Sequence, residues 1–98
     1  MSQFFLTAPA EQDLEQIAAY LAEQSPGLAR RYQQQFTVRF ELLASFPLLS
    51  AIDSRLDGEI RMALVKPYQI FYLPQQSGVA ILRIIHSARD LQTAFRER

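Results

Sequence analysis

Cysteine is missing from the sequence altogether, and histidine occurs once. The first absence removes any disulfide framework, thiolate nucleophile or thiolate metal site. With one imidazole and no thiolate, a structural zinc site has too few ligands, so no metal and no cofactor is expected. Glycine is scarce too: Gly27, Gly58 and Gly78 are the only three, too scattered to form a phosphate-cradling loop. No apolar run approaches the ~20 residues that span a bilayer. The opening MSQFFLTAPAE lacks the basic start and long apolar core of a secretion signal. Ten basic side chains cancel ten acidic ones, which gives the chain as a whole no pull towards a polyanion. These absences leave a soluble, cytoplasmic protein with no membrane partner as the expectation.

What is present centres on residues 59–90, where three runs, 60–65, 68–73 and 79–86, are dense in Ile, Val, Leu, Phe and Tyr. Such residues suit a pleated, packed surface. Lys66-Pro67 and residues 74–78 separate the runs, and connections this short predict an antiparallel meander, not a parallel crossover. Upstream, residues 3–6 are a short apolar segment able to pair at a sheet edge. Thr7 then caps a helix, with Pro9 in its first turn and Glu11 and Asp13 complementing the positive end of its dipole. Leu14, Ile17, Ala18 and Leu21 recur at the spacing of one buried stripe, and the helix is expected to end near Gln24.

Ser25-Pro26 opens a second helix. Leu28, Ala29, Tyr32, Phe36, Phe40 and Leu43 form its stripe, and Phe46-Pro47 closes it. Residues 47–58 connect to the first long strand through a turn-like Asp57-Gly58. Ser87, with Asp90 three residues on, matches a capping box for a helix over 88–96 that carries Leu91, Ala94 and Phe95. The whole reads as one α+β domain over residues 1–98. Its parts are a short N-terminal strand, an antiparallel two-helix hairpin packed on an antiparallel sheet of about four strands, and a short C-terminal helix.

Charge inside apolar strands needs a use or a partner, which singles out Arg61 and Arg83. Period-2 alternation puts Arg61 with Ala63 and Val65, Arg83 with Val79, Ile81 and Ile85, and His86 on the face opposite Arg83. A bulge near the strand end is needed to unite Arg83 and His86. Arg55, Arg61, Lys66, Tyr68, Arg83, His86 and Arg89 form a set that could gather to engage phosphates. Such a set can cleave RNA through a base, charge-stabilising cations and an acid. His86 is the chain's only imidazole, the side-chain type that titrates near neutral pH. The plainer alternatives weigh as much: ion pairing for the arginines, helix capping for Asp90, and core packing for Tyr68 and Tyr72, which share the face of Ile70.

These residues also carry a resemblance. Ala10-x-x-Asp13-Leu14-x-x-Ile17-x-x-Tyr20 is followed by Pro26 with Ala29, by Leu43 with Phe46-Pro47, and by Arg61 with Tyr68-Gln69-Ile70-x-Tyr72. With Ile81-Leu82-Arg83-Ile84-Ile85-His86-x-x-Arg89-Asp90, this order resembles the RelE/ParE toxin superfamily, the ParE branch most closely. The resemblance implies a type II toxin–antitoxin module whose toxin is neutralised by a ParD-like antitoxin in a hetero-oligomer. ParE-like members poison DNA gyrase, whereas RelE-like members cut mRNA on the ribosome. The sequence has Asp53-Ser54-Arg55-Leu56-Asp57 where the nuclease branch is rich in lysine, and Ser87 supplies no aromatic acid, which favours gyrase. A homologue acting only as a binding module is the third possibility. The residues implied for antitoxin binding are Arg61, Arg83, Tyr32 and Phe36, and for target binding His86, Arg89 and Arg96. A ribonuclease would instead draw on Arg61, Arg83, His86 and Tyr68, with Glu59 in reserve.

Overall fold

Thr7 and Ser25 both lie just before a helix and have extended backbones that place a hydroxyl over the first turn. In a computed structural model, which describes residues 3–96, each accepts a hydrogen bond there, Thr7 from the amide of Ala10 and Ser25 from that of Leu28. With Pro at the N-terminal turn of each helix, these caps set the starts of α1 (Ala8–Gln24) and α2 (Pro26–Ser45). The strands are β1 (Gln3–Leu6), β2 (Arg61–Val65), β3 (Tyr68–Gln75) and β4 (Gly78–His86), and α3 (Leu91–Arg96) follows them. Among the described residues no helix is long and apolar enough to cross a membrane.

The meander β2-β3-β4 is antiparallel as expected, but the sheet as a whole is mixed, because β1 pairs in parallel with β4 in the order β1-β4-β3-β2. The reason is the hairpin: two helices return the chain to the side from which it left, so the first strand runs alongside the last. Thr7 fastens this join. Its amide donates to the Ile81 carbonyl at 3.1 Å, and its hydroxyl lies 3.1 and 3.0 Å from the carbonyls of Ile81 and Leu82.

One face of the sheet lies under the helical hairpin. There Ala63, Val65, Tyr68, Ile70, Tyr72, Val79, Ile81 and Ile84 meet Ala10, Phe36, Phe40 and Leu43. The other face carries a smaller core of Phe71 and Ile85 under Leu91 and Ala94 of α3, flanked by Leu56, Ile60 and Met62. A register shift opposite Phe71 and Tyr72 corrects the expected alternation in β4: Tyr72 faces Ile81 and Phe71 faces Arg83, leaving Leu82 as the extra residue. Val79 and Ile81 face the hairpin before the bulge, and Ile84 does so after it, while Ile85 turns to α3. The bulge precedes both Arg83 and His86, so it does not unite them.

Two helix details also differ. Ala10 and Asp13 are the buried residues of α1 near its start, whereas Leu14 and Ile17 are half-buried and Ala18 is exposed. The helix turns its first two turns onto β4 and leaves the rest of its apolar stripe facing a groove. At the far end, Asp90 is itself the cap of α3, accepting from the Gln92 amide and the Thr93 hydroxyl, so the helix starts at Leu91 instead of 88.

Candidate functional site

Arg83 and Asp13 are the buried charged residues among those described, 5% and 6% exposed. Asp13 reaches β4 just beyond the point where β1 stops pairing with it. Its carboxylate accepts Nε and Nη2 of Arg83 at 2.7 and 2.9 Å and the Ile84 amide at 2.9 Å. Arg83 Nη1 also donates to the carbonyl of Ala94 in α3. This two-pronged pair, with its remaining donors satisfied, joins α1, β4 and α3 at one point. It leaves the Arg83 guanidinium buried and engaged by groups of the fold itself.

The other candidates are spread out. Arg61 stands on the face of Ala63 and Val65, as expected, but its Nη1 donates to the Ser50 carbonyl at 2.6 Å and straps the connector to the outer strand. Tyr72 completes that strap: its hydroxyl donates to the Pro47 carbonyl at 2.9 Å and accepts the Ser50 amide at 3.3 Å. Arg61 faces Tyr72 across β2 and β3, whereas His86 faces Tyr68 across β3 and β4. Four residues of strand separate Tyr68 from Tyr72, about 13 Å at ~3.3 Å per residue. Arg55 pairs with Asp53 in the connector and holds that carboxyl below the usual carboxylate range. Lys66 is exposed in the β2-β3 turn, and its carbonyl accepts the Tyr32 hydroxyl at 3.1 Å. Arg96 ends α3 on the opposite side of the sheet from His86.

Among the described residues two concavities lie beside the hairpin, and a third, of 420 Å³, is lined by Pro9, Gln12, Asp13, Gln16, Arg83 and Arg89. The first is a 250 Å³ apolar groove between the helices, with Leu14, Ile17, Ala18 and Leu21 on one wall and Ala29, Tyr32, Phe36 and Phe40 on the other. Phe4 of β1 closes its end against Phe40, ring centroids 5.3 Å apart. The second is a 500 Å³ cavity between α1 and the open end of the sheet, into which Tyr20, Tyr32, Tyr68, His86 and Arg89 all contribute. Tyr68 meets Tyr32 and His86 edge to face at 5.7 and 5.5 Å. Burial pushes the Tyr68 hydroxyl up, and the phenols of Tyr32 and Tyr20 add to the effect.

Residues 4–91 match the family model of the ParE toxin of the type II toxin–antitoxin system parDE. The chain belongs to the ParE toxin family. Among solved structures, a chain of the chromosomal ParDE TA system from P. aeruginosa is similar with a TM-score of 0.71. The two are 23% identical, and the match covers 88% of this chain and 96% of that one. No curated protein sequence matches the chain. As a ParE-type toxin of a type II toxin–antitoxin system, the protein places its implied target residues unevenly, His86 and Arg89 at one cavity and Arg96 elsewhere. Tyr32 and Phe36 do line the groove, while Arg61 and Arg83 do not. Sequence reasoning gave no site role in this ParE-type toxin to Asp13, which it placed at the helix dipole, or to Tyr20. Asp13 stands in the same helical stripe as Ala10, Ile17 and Leu21, a spacing that marks it as an inward carboxylate in need of a partner.

Proposed function

We propose that this ParE-type toxin inhibits DNA gyrase, is neutralised by a ParD-like antitoxin, and does both in the cytoplasm, where it arrests growth and stabilises the replicon that encodes the pair. One observation supports gyrase over RNA cleavage: the residues a ribonuclease would use are dispersed or already engaged. Arg83 is buried against Asp13, Arg61 is tied to the connector about 13 Å along the sheet from His86, and Tyr68 is buried with a hydroxyl that gives up its proton less readily than usual. General acid–base chemistry needs its groups within hydrogen-bond reach of one reacting phosphate. A protein that acts by docking on a partner has no such requirement.

The antitoxin reading is supported by the groove. An amphipathic helix presenting apolar anchors every three to four residues fits a trough walled by two helices. The toxin–antitoxin complex would then be a hetero-oligomer in which the antitoxin covers Ile17, Leu21, Tyr32 and Phe36.

The deciding experiment uses purified toxin in a supercoiling reaction with gyrase and no ribosomes, beside a translation reaction that monitors mRNA integrity. Loss of supercoiling with intact mRNA is the expected result. Unimpaired supercoiling at toxin excess, with mRNA cut in the ribosomal A site, would install the RelE-like nuclease reading. No effect in either reaction would leave a binding module.

A further inference from the structure

The cavity beside His86 combines aromatic rings, carboxamides and cationic groups in one place. Its α1 wall is a ladder at four-residue spacing, Gln16, Tyr20 and Gln24, so one exposed phenol ring is flanked by an amide on either side. The facing wall brings the rings of Tyr32 and Tyr68 and the imidazole of His86. Among the described residues Asp13 is the one acidic residue in the lining, and it is committed to Arg83 and the Ile84 amide. Every other polar group there is neutral or cationic, and Arg89 at the rim keeps its positive charge whatever else it touches. The Nδ1 of His86 accepts the Ala88 amide at 3.0 Å, so the proton of the neutral ring sits on Nε2, leaving that nitrogen as a donor.

Flat aromatic walls select a planar ring, carboxamides read donor and acceptor pairs on its edge, and the His86-Arg89 end favours an anion attached to that ring. A volume of 500 Å³ is in the range of small-molecule sites and exceeds what one side chain fills. We infer that this cavity binds a nucleoside phosphate, the base against Tyr20 between the glutamine amides and the phosphate at His86 and Arg89. The chemistry is common to a free nucleotide and to an unstacked residue of single-stranded nucleic acid. Ile17, Leu21 and Tyr32 line both this cavity and the interhelical groove, so an occupant here touches the walls of the groove as well.

The test is a titration of the isotope-labelled chain, observed by NMR, with nucleoside 5′-monophosphates, the matching nucleosides, ribose 5-phosphate and a tetranucleotide. Saturable shifts at Tyr20, Tyr68 and His86 are expected, with the monophosphate binding more tightly than either of its halves. Tyr20→Leu should weaken it about tenfold, within the range for base–aromatic stacking, while Tyr20→Phe should stay within about twofold because the ring remains. Tighter binding of the tetranucleotide at the same residues assigns the site to single strands; equal or weaker binding assigns it to free nucleotides. The inference is overturned if shifts at these residues are absent up to about 10 mM ligand. It is equally overturned if ribose 5-phosphate binds as well as the nucleotide, or if Tyr20→Leu changes nothing. None of these outcomes depends on gyrase or the antitoxin, so failure here and failure of the proposed function are separable.

Discussion

Removing one partner of the Asp13-Arg83 pair would strand a charge in the interior together with the Ile84 amide or the Ala94 carbonyl. Breaking a buried pair in this way costs roughly 3–5 kcal/mol, a large share of a small domain's stability. Asp13→Ala is therefore expected to lower the urea midpoint sharply, and Asp13→Leu combined with Arg83→Met to recover part of the loss, since no charge is then stranded but the Ile84 amide and the Ala94 carbonyl stay unpaired. A midpoint unchanged in Asp13→Ala would show the pair to be dispensable. Arg83→Ala should weaken antitoxin binding mainly as far as it unfolds the toxin, since only 6% of the side chain is exposed. At Asp53 the sign follows from Arg55, whose hydrogen bond lowers the folded-state carboxyl below its unfolded value. The stability it contributes is present above the unfolded carboxylate pKa, ~4, and is lost as pH falls through the lowered folded value. Thermal unfolding between pH 6 and 2 should accordingly show a shallower acid limb in Asp53→Asn than in the parent.

Among the elements, β1 is the one whose placement hangs on a single glycine. Gly78 has a φ of +151°, and a Cβ there would lie 1.7 Å from the Gln3 carbonyl oxygen. That contact is backbone against backbone, where β1 begins its parallel pairing and the Gln3 amide donates to Ser77. Gly78→Ala should destabilise by more than the ~1 kcal/mol that such a change gains where the new side chain fits, because β1 has to shift or detach. Hydrogen exchange reads this directly: the Gln3 amide should lose protection while β3 amides keep theirs. Retained protection at Gln3 would mean that the strand adapts without separating. The bulge in β4 acts at the same scale, since the extra residue Leu82 reverses the facing of Ile84 and Ile85 and lets one strand serve both cores.

For the molecule as a whole, the hairpin is packed tightly at its β4 side and left open between its helices. Ala18 is exposed on the groove wall and takes no part in either core. Ala18→Asp should therefore leave the unfolding midpoint nearly unchanged while weakening the antitoxin complex at least tenfold, about 1.4 kcal/mol. Calorimetry with the cognate antitoxin checks both halves of this expectation. Full affinity in the variant would move the antitoxin off the groove.

Local rules sufficed for much of this protein. Thr7 and Ser25 as caps, Pro26 at a helix start, the three strand runs with their short joins, and Tyr68, Ile70 and Tyr72 on one buried face all follow from residue type and spacing within a few positions. The family, too, was legible, because ILRIIHSARD and its upstream companions form a pattern along the chain. What the sequence could not decide were contacts between residues far apart in it. The parallel pairing of β1 depends on how two helices return the chain. The facing of Arg83 depends on a bulge with no marker in the residues around Leu82. A carboxylate 70 positions away turns Arg83 from a candidate for phosphate chemistry into a structural ion pair. Spacing along a chain determines which way a side chain points, but only the tertiary structure decides what it meets there.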